Sequence, residues 1–204
     1  YHLCPLMTQA LLTIQTLNKL QRTQRELESA LERVTALAQT DPLTQLHNRR
    51  RFYELAEKEI RRSRRFERPL SLIILDIDDF KALNDNLGHQ TGDTALKTLA
   101  HTCGPALREH DLLARYGGEE FLALLPETEE KEARQVADRL RRRIEGTRMA
   151  PELSQGQMTI SLGLAQLWSG DSGMDSMFQR ADRALRLAKQ RGKNRLETES
   201  CLCD

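Results

Sequence analysis

The feature that most constrains this chain is a pair of glycines, Gly117 and Gly118, set between two apolar runs. "DLLARY" precedes them and "FLALLP" follows, with Glu119 and Glu120 in between. Gly-Gly tolerates the backbone angles of a tight β-turn, so the spacing predicts a hairpin whose strands flank Gly117. Strands joined by a hairpin are antiparallel neighbours, so the sheet is antiparallel or mixed. The adjacent glutamates are the unexpected part, because a tight turn here delivers two carboxylates to the mouth of an apolar strand.

The surrounding pattern sets that hairpin among helices. "RRRFYELAEKEIRRSRRF" is a basic amphipathic helix whose arginines form a solvated face. "LSLIILDI", residues 70–77, is a short apolar run after Pro69 and predicts a buried strand. "DDFKALNDNLG" predicts a short helix ending at Gly88, and "QTGDTALKTLAHTCGPAL" a further one. "ETEEKEARQVADRLRRRIEG" is a polar-faced helix, capped at Thr128 or Glu127 and stopped at Gly146. "MTISLGLAQL" alternates as a strand, and "SMFQRADRALRLAKQRG" is a helix with Gly192 at its C-terminal end. "NRLETE" completes the pattern as a last edge strand. The order β-α-α-β-β-α-β-α-β predicts an α+β, ferredoxin-like domain: a central, mainly antiparallel sheet with helices on one face.

Residues 1–39 read differently. After Pro5 they contain neither Gly nor Pro up to Gln39. Leu3, Leu6, Ala10, Thr13, Leu17, Leu20, Gln24, Leu27, Leu31, Val34 and Ala38 alternate spacings of three and four, which is a heptad seam. Thr13 and Gln24 weaken it. Such a helix either dimerises as a coiled-coil signalling linker or packs singly on the domain. Asp41-Pro42 breaks the pattern, since a residue before proline avoids the α region. The predicted organisation is therefore a helix over 1–39 and a single domain over 40–204.

Composition narrows the class of function. The chain of 204 residues is 39% hydrophobic and 30% charged, enough for a buried core. Its formal net charge of +1 gives no electrostatic case for a nucleic-acid partner. No apolar run reaches membrane-spanning length, but the chain starts at Tyr1, so an upstream sensory or membrane domain is compatible with it. Cys103 fits a core position, and the Cys201-x-Cys203 pair has no partners to complete a four-ligand zinc site; Cys4 stands alone. A reduced, cytoplasmic protein follows as the expectation.

Two acidic stretches carry the chemistry. Asp76 ends the 70–77 strand, while Asp78 and Asp79 open the following turn, where a helix-capping role is the ordinary alternative. An EF-hand loop fails because Phe80 and Lys81 fall where a ligand and the glycine belong. "QRGKNR" lacks the Ser/Thr and upstream glycine of a P-loop, and no H-E-x-x-H or G-x-S-x-G occurs. If strand 70–77 lies beside the hairpin, Asp76 and Glu119 meet at one sheet edge. Two carboxylates with few other ligands suit Mg²⁺, which keeps waters and is completed by phosphates. The glycines leave room for a nucleotide against bare backbone. These residues alone point to metal-dependent phosphoryl transfer and select neither nucleotide nor reaction.

"RYGGEEF", "DIDDFKALNDNLGHQTGD", "DPLTQLHNRR" and "AKQRGKNR", in this order, resemble the GGDEF family of diguanylate cyclases over residues 40 to about 197. The resemblance implies a nucleotidyl-cyclase, palm-like fold and condensation of two GTP into cyclic di-GMP and two pyrophosphates. It also implies Mg²⁺ or Mn²⁺, two ions per site, and a homodimer. Asp76, Glu119 and the Ile77 carbonyl match the metal ligands. Glu119 also matches the group that deprotonates the attacking 3′-hydroxyl, with Glu120 as the adjacent motif acid. Asn84 and Asp93 match the guanine readers, and His89 falls in the same segment. Backbone amides around Asp79, Phe80 and Lys81 match phosphate contacts, and Lys189 and Lys193 match basic phosphate ligands; ordinary helix-end cations are the simpler alternative. "REHD" matches the R-x-x-D inhibitory site, giving Arg108 and Asp111 with Arg139 as a secondary contact; the alternative there is a surface ion pair. A catalytically silent receptor of the same fold usually loses a motif acid, and none is lost here. The motif set disfavours a 3′,5′-cyclic mononucleotide cyclase. In this family setting the whole protein is cytoplasmic or attached to the inner membrane.

Overall fold

The run Leu70–Ile77 is buried on both faces along its whole length, and the rest of the domain is arranged to cover it. The computed structural model describes residues 14–29, 34, 39–147 and 158–198. In chain order the domain elements are β1 (His47–Asn48), α1 (Arg49–Phe66), β2 (Leu70–Ile77), α2 (Phe80–Leu87) and α3 (His89–Cys103). After a 3₁₀ turn, Gly104–Ala106, come β3 (Leu112–Gly117), β4 (Glu120–Pro126), α4 (Glu130–Glu145), β5 (Ile160–Gln166), α5 (Met174–Gln190) and β6 (Leu196–Thr198).

The strands form one six-stranded sheet in the order β1-β3-β4-β2-β5-β6. Its three inner pairings are antiparallel, and the outer pairs β1–β3 and β5–β6 are parallel. This is the expected α+β, palm-like sheet, with β2 between the hairpin and β5. The two-residue β1 was not visible in the sequence, since it is too short to carry any alternation.

Helices on one face only is the expectation that fails. Leu70, Leu72 and Ile74 join a core with Phe52, Ala56 and Ile60 of α1 and Met177, Ala181 and Leu185 of α5. Ile73, Leu75 and Ile77 join a second core with Leu96 and Leu99 of α3 and Ala137 and Leu140 of α4. A strand with apolar side chains at successive positions has no face to leave to water, so both must be covered. α5 lies so close to β5 that a Cβ on Gly163 would stand 2.0 Å from the Ala181 carbonyl and 2.4 Å from the Leu185 nitrogen. Glycine there lets the helix backbone rest on the strand.

Local signals fix the helix ends. Asn48 caps α1, its side chain accepting from the Arg51 amide at 2.9 Å. Gly88 ends α2 as read. The capping of α4 differs from the sequence reading, because neither Thr128 nor Glu127 caps it. Glu129 holds the N-cap position without a side-chain bond, and the Gln166 side chain accepts from the Glu130 amide at 2.7 Å instead. Thr128 is buried and its hydroxyl donates to the Pro126 carbonyl.

The chain divides into two compact units, Tyr1–Gln39 and Thr40–Asp204. In the first, residues 14–29 are helical, and Leu17, Leu20 and Leu27 are 54%, 66% and 69% exposed, as an unpartnered seam would leave them. Leu3, Leu6, Ala10, Thr13, Leu31 and Ala38 of the seam lie outside the described residues, as do Cys4, Cys201 and Cys203. Cys103 is fully buried in the core. Among the described residues no helix is long and apolar enough to cross a membrane.

Candidate active site

The C-terminal end of β2 and the hairpin beside it carry the acidic residues together. Asp76 is only 4% exposed, and its Cα pairs with Glu120 on one side and Ser161 on the other. The sequence brings Asp76 and Glu119 to one sheet edge; the register pairs Asp76 with the adjacent Glu120, and Glu119 lies near enough to raise the Asp76 carboxyl. β3 ends at Gly117 and β4 starts at Glu120, so Gly118 and Glu119 form the turn itself. The pairing shifts between Arg115 and Gly117, a bulge that sequence alone did not place.

Arg115 secures that turn. Its Nε and Nη2 donate to the Gly118 carbonyl at 3.0 and 2.8 Å, and its Nη1 donates to both carboxylate oxygens of Asp41 at 3.2 Å. Asp41 in turn accepts from the Thr44 amide and hydroxyl, each at 2.8 Å. Tyr116 inside the bulge stacks on Tyr53 and meets Phe178 at a tilt, with the Arg49 guanidinium 4.6 Å from its ring centre. Neither support was foreseen, because each joins segments far apart in the chain.

Electrostatics single out Asp76. Burial pushes its carboxyl up to about 6, and the nearby Glu119 and Glu120 push the same way against the opposing Lys189. Lys189, in the last turn of α5, places its Nζ 2.8 Å from Asp76 Oδ2. Glu120 is also raised, first by burial; Asp182 and Glu119 add to that and Lys189 opposes it. Asp76, Glu119 and Glu120 thus carry more negative charge than Lys189 offsets. Among the described residues no three His, Cys, Asp or Glu side chains are gathered as a metal cage. A few hard carboxylate oxygens with excess charge still fit a divalent cation that keeps most of its water.

Asp78 and Asp79 do not cap a helix through their side chains. Asp78 accepts from the Thr159 hydroxyl (2.7 Å), the Ser161 hydroxyl (2.6 Å) and the Asn194 amide (3.0 Å). It therefore ties the loop after α5 to the start of β5. Asp79 holds the N-cap position of α2 in left-handed backbone, φ 56°, without a capping bond. Its carboxylate instead receives Lys193 Nζ at 2.6 Å. The two lysines are thus engaged with site carboxylates rather than standing as helix-end cations. Phe80 and Lys81 form the first turn of α2, and Ile77 is buried opposite Ile160.

Asn84 of α2 packs against α3. Its Oδ1 is buried without a hydrogen-bond partner, and a Cβ on Gly92 would fall 2.0 Å from that atom. His89 and Asp93 lie one turn apart on α3, both exposed. A second group forms before β3. Asp111 accepts from the Arg108 amide at 2.7 Å, so the motif is first a turn rather than a side-chain ion pair. Burial raises the Asp111 carboxyl, while Arg108, His110 and Arg139 oppose the rise. Arg139 also donates to the Ala106 carbonyl at 2.9 Å.

Known proteins share this architecture. The family model described as "Diguanylate cyclase, GGDEF domain" matches residues 38–195. Diguanylate cyclase DgcP of Pseudomonas aeruginosa is 39% identical over 184 residues, 90% of this chain and 27% of its own length. The coiled coil and GGDEF domain of DgcB from Caulobacter crescentus, in complex with c-di-GMP, is 31% identical with a TM-score of 0.75. That match covers 89% of this chain and 96% of the DgcB chain. The active GGEEF domain of a diguanylate cyclase from Vibrio cholerae is 33% identical with a TM-score of 0.72, covering 76% and 98%. The chain spans about a quarter to a half of the length of the curated relatives it matches.

Proposed function

Because the chain belongs to the GGDEF family of diguanylate cyclases, we propose that it condenses two GTP into cyclic di-GMP and releases two pyrophosphates. The observation that carries this reading is the buried Asp76 carboxylate beside the hairpin glutamates, with Lys189 as its near counter-charge.

Asp76 and Glu119, with the Ile77 carbonyl, would hold Mg²⁺ or Mn²⁺, two ions per site. When bound, the ions neutralise the triphosphate and acidify the attacking hydroxyl. Glu119 takes the proton from the 3′-hydroxyl of one GTP as that oxygen bonds to the α-phosphorus of the other. The bond from that phosphorus to pyrophosphate breaks, and a second, equivalent transfer closes the ring. Glu120, held in the β4 ladder, keeps negative charge beside Asp76.

Guanine selection falls to Asn84 and Asp93, with His89 in the same segment. The buried Asn84 Oδ1 lacks a donor. Guanine offers N–H donors on its pairing edge, and a buried acceptor left unpaired costs about 1–3 kcal/mol. Amides around Asp79, Phe80 and Lys81, together with Lys189 and Lys193, would meet the phosphates. Each domain then holds one GTP, so the reaction requires two domains face to face, in a homodimer. Product inhibition at Arg108, Asp111 and Arg139 completes the proposal, in a cytoplasmic domain where GTP is present. The test is to incubate the protein with Mg²⁺ and either GTP or ATP and weigh the products. Cyclic di-GMP from GTP, and no turnover of ATP, is the expected result; its absence under all metal conditions refutes the reading.

A further inference from the structure

Both lysines expected to receive phosphate are already engaged, each with a carboxylate from the β2–α2 segment. Lys189 Nζ lies 2.8 Å from Asp76, and Lys193 Nζ lies 2.6 Å from Asp79. These pairs are built differently. Asp76 is 6% exposed at its side chain, whereas Asp79 is 66% exposed, with the lysines near 40%.

The second pair is set by the backbone. Asp79, Lys193 and Asn194 all stand in left-handed conformation, with φ of 56°, 60° and 45°. Side chains other than glycine adopt that region at a cost, so tight turns at both ends fix where the two groups emerge. The Lys193 amide donates to the Ala188 carbonyl, and Asp78 holds the Asn194 amide at 3.0 Å. Asp79 is therefore more than the N-cap residue of a helix.

We propose that Asp79 is the exchangeable counter-charge of Lys193, and that the two ion pairs form a charge exchange between the divalent cation and the triphosphate. This rests on the diguanylate cyclase reading above and extends it. In the free domain, each lysine is neutralised by a site acid. With Asp76 engaged by a divalent cation, Lys189 would be released from its carboxylate and would need another anion. A triphosphate arriving at Lys193 displaces Asp79, which returns to water. Cation alone leaves Lys189 unmatched, and triphosphate alone must compete with two carboxylates. Metal and nucleotide therefore enter as mutually supporting charges, and neither binds well by itself.

Each half is measurable without turnover. Mn²⁺ binding is followed by calorimetry without nucleotide, and inorganic tripolyphosphate binding is followed in EDTA. Lys189→Met removes a cation from the nearly buried Asp76 and should tighten Mn²⁺ by about tenfold or more, since a buried carboxylate depends strongly on its counter-charge. Lys189→Gln should tighten it in the same direction. A lysine that served phosphate alone would leave Mn²⁺ affinity unmoved. Asp79→Asn should tighten tripolyphosphate about threefold, the scale of one exposed pair. That gain should vanish when Asp79→Asn is made in a Lys193→Met background, because Asp79 acts through Lys193.

Unchanged or weaker Mn²⁺ binding in both Lys189 variants overturns the exchange at Asp76. An Asp79→Asn gain that is absent, or that persists without Lys193, overturns the role of Asp79 as the exchangeable counter-charge of Lys193. Cyclic di-GMP synthesis by the unaltered protein is assayed alongside. If synthesis occurs and the binding shifts do not, the exchange alone is wrong. If synthesis and Mn²⁺ binding are both missing, the enzymatic reading fails as well.

Discussion

Replacing Asp76 by Asn should make the metal-free domain more stable while removing its activity. Asn is nearly isosteric with the protonated carboxyl and cannot ionise. In the folded domain Asp76 is pushed from its ordinary 3.8 to about 6, chiefly by burial, with Glu119 and Glu120 adding to it. At 1.36 kcal/mol per tenfold change in proton affinity, that rise corresponds to about 3 kcal/mol. Because Asp76 is only 4% exposed, solvent screening removes little of it. The folded carboxyl binds its proton more tightly than the unfolded one. The unaltered domain therefore loses stability as pH rises from about 4 to about 6 and stays penalised above that window. Asp76→Asn escapes this loss, so the gap between the two proteins should be near zero at pH 4 and reach its plateau above pH 7.

The assay is thermal or urea unfolding of both proteins in EDTA at several pH values. A gain of about 3 kcal/mol raises the midpoint by about 6–12 °C for a domain of this size. Mg²⁺ should then close the gap from the other side. Ligand at a hundred times its dissociation constant stabilises the binding-competent protein by about 2.7 kcal/mol, and the Asn variant should gain far less. If Asp76→Asn is less stable than the unaltered domain at pH 8 in EDTA, or the gap is flat from pH 4 to pH 8, then Asp76 is not a destabilising buried charge. The assignment of the metal site to it would lose its physical basis.

Other perturbations test the scaffold, the feedback site and assembly. Gly163→Ala puts a methyl group against the α5 backbone, 2.0 Å from the Ala181 carbonyl, and should cost about 3 kcal/mol or more in urea unfolding, at the upper end of overpacked cores. Arg108→Ala should leave the initial rate nearly unchanged and raise activity late in a reaction, once product has accumulated; equal product inhibition in both proteins would reduce the motif to a structural turn. Deleting residues 1–39 should lower specific activity most at nanomolar protein, and a parallel coiled coil fused in register should restore it, because linkage raises the effective concentration of one domain beside another.

Much of the fold was legible because it depends on short-range pattern. The apolar run 70–77, the Gly-Gly turn and the helix stop at Gly146 each declare themselves within a few residues. What escaped were side chains that bind across long sequence distances. For Asp78 a helix cap was the ordinary alternative because it precedes a helix, yet its partners Thr159, Ser161 and Asn194 lie 81 to 116 residues away. The cap of α4 came from Gln166, 36 residues downstream, rather than from the local Thr128. Helices on both faces could have been read from the strand itself, since 72–75 offers no polar position.

The hairpin glutamates show where such reasoning stops and geometry begins. They are adjacent in sequence but controlled by different forces. Glu120 belongs to the ladder, opposite Asp76, so its backbone is set by hydrogen bonds to β2. Glu119 stands in the turn and has no partner in that register. Its position depends on the neighbouring Gly118 carbonyl, which Arg115 grips, and on Asp41, which grips Arg115. That chain of contacts ends two residues past Gln39, the last residue of the N-terminal unit. The carboxylate proposed to take the proton is thus the one whose backbone is held by side chains rather than by the sheet. A side-chain clamp can be loosened by changing one residue, whereas a ladder position cannot be moved without unpairing a strand.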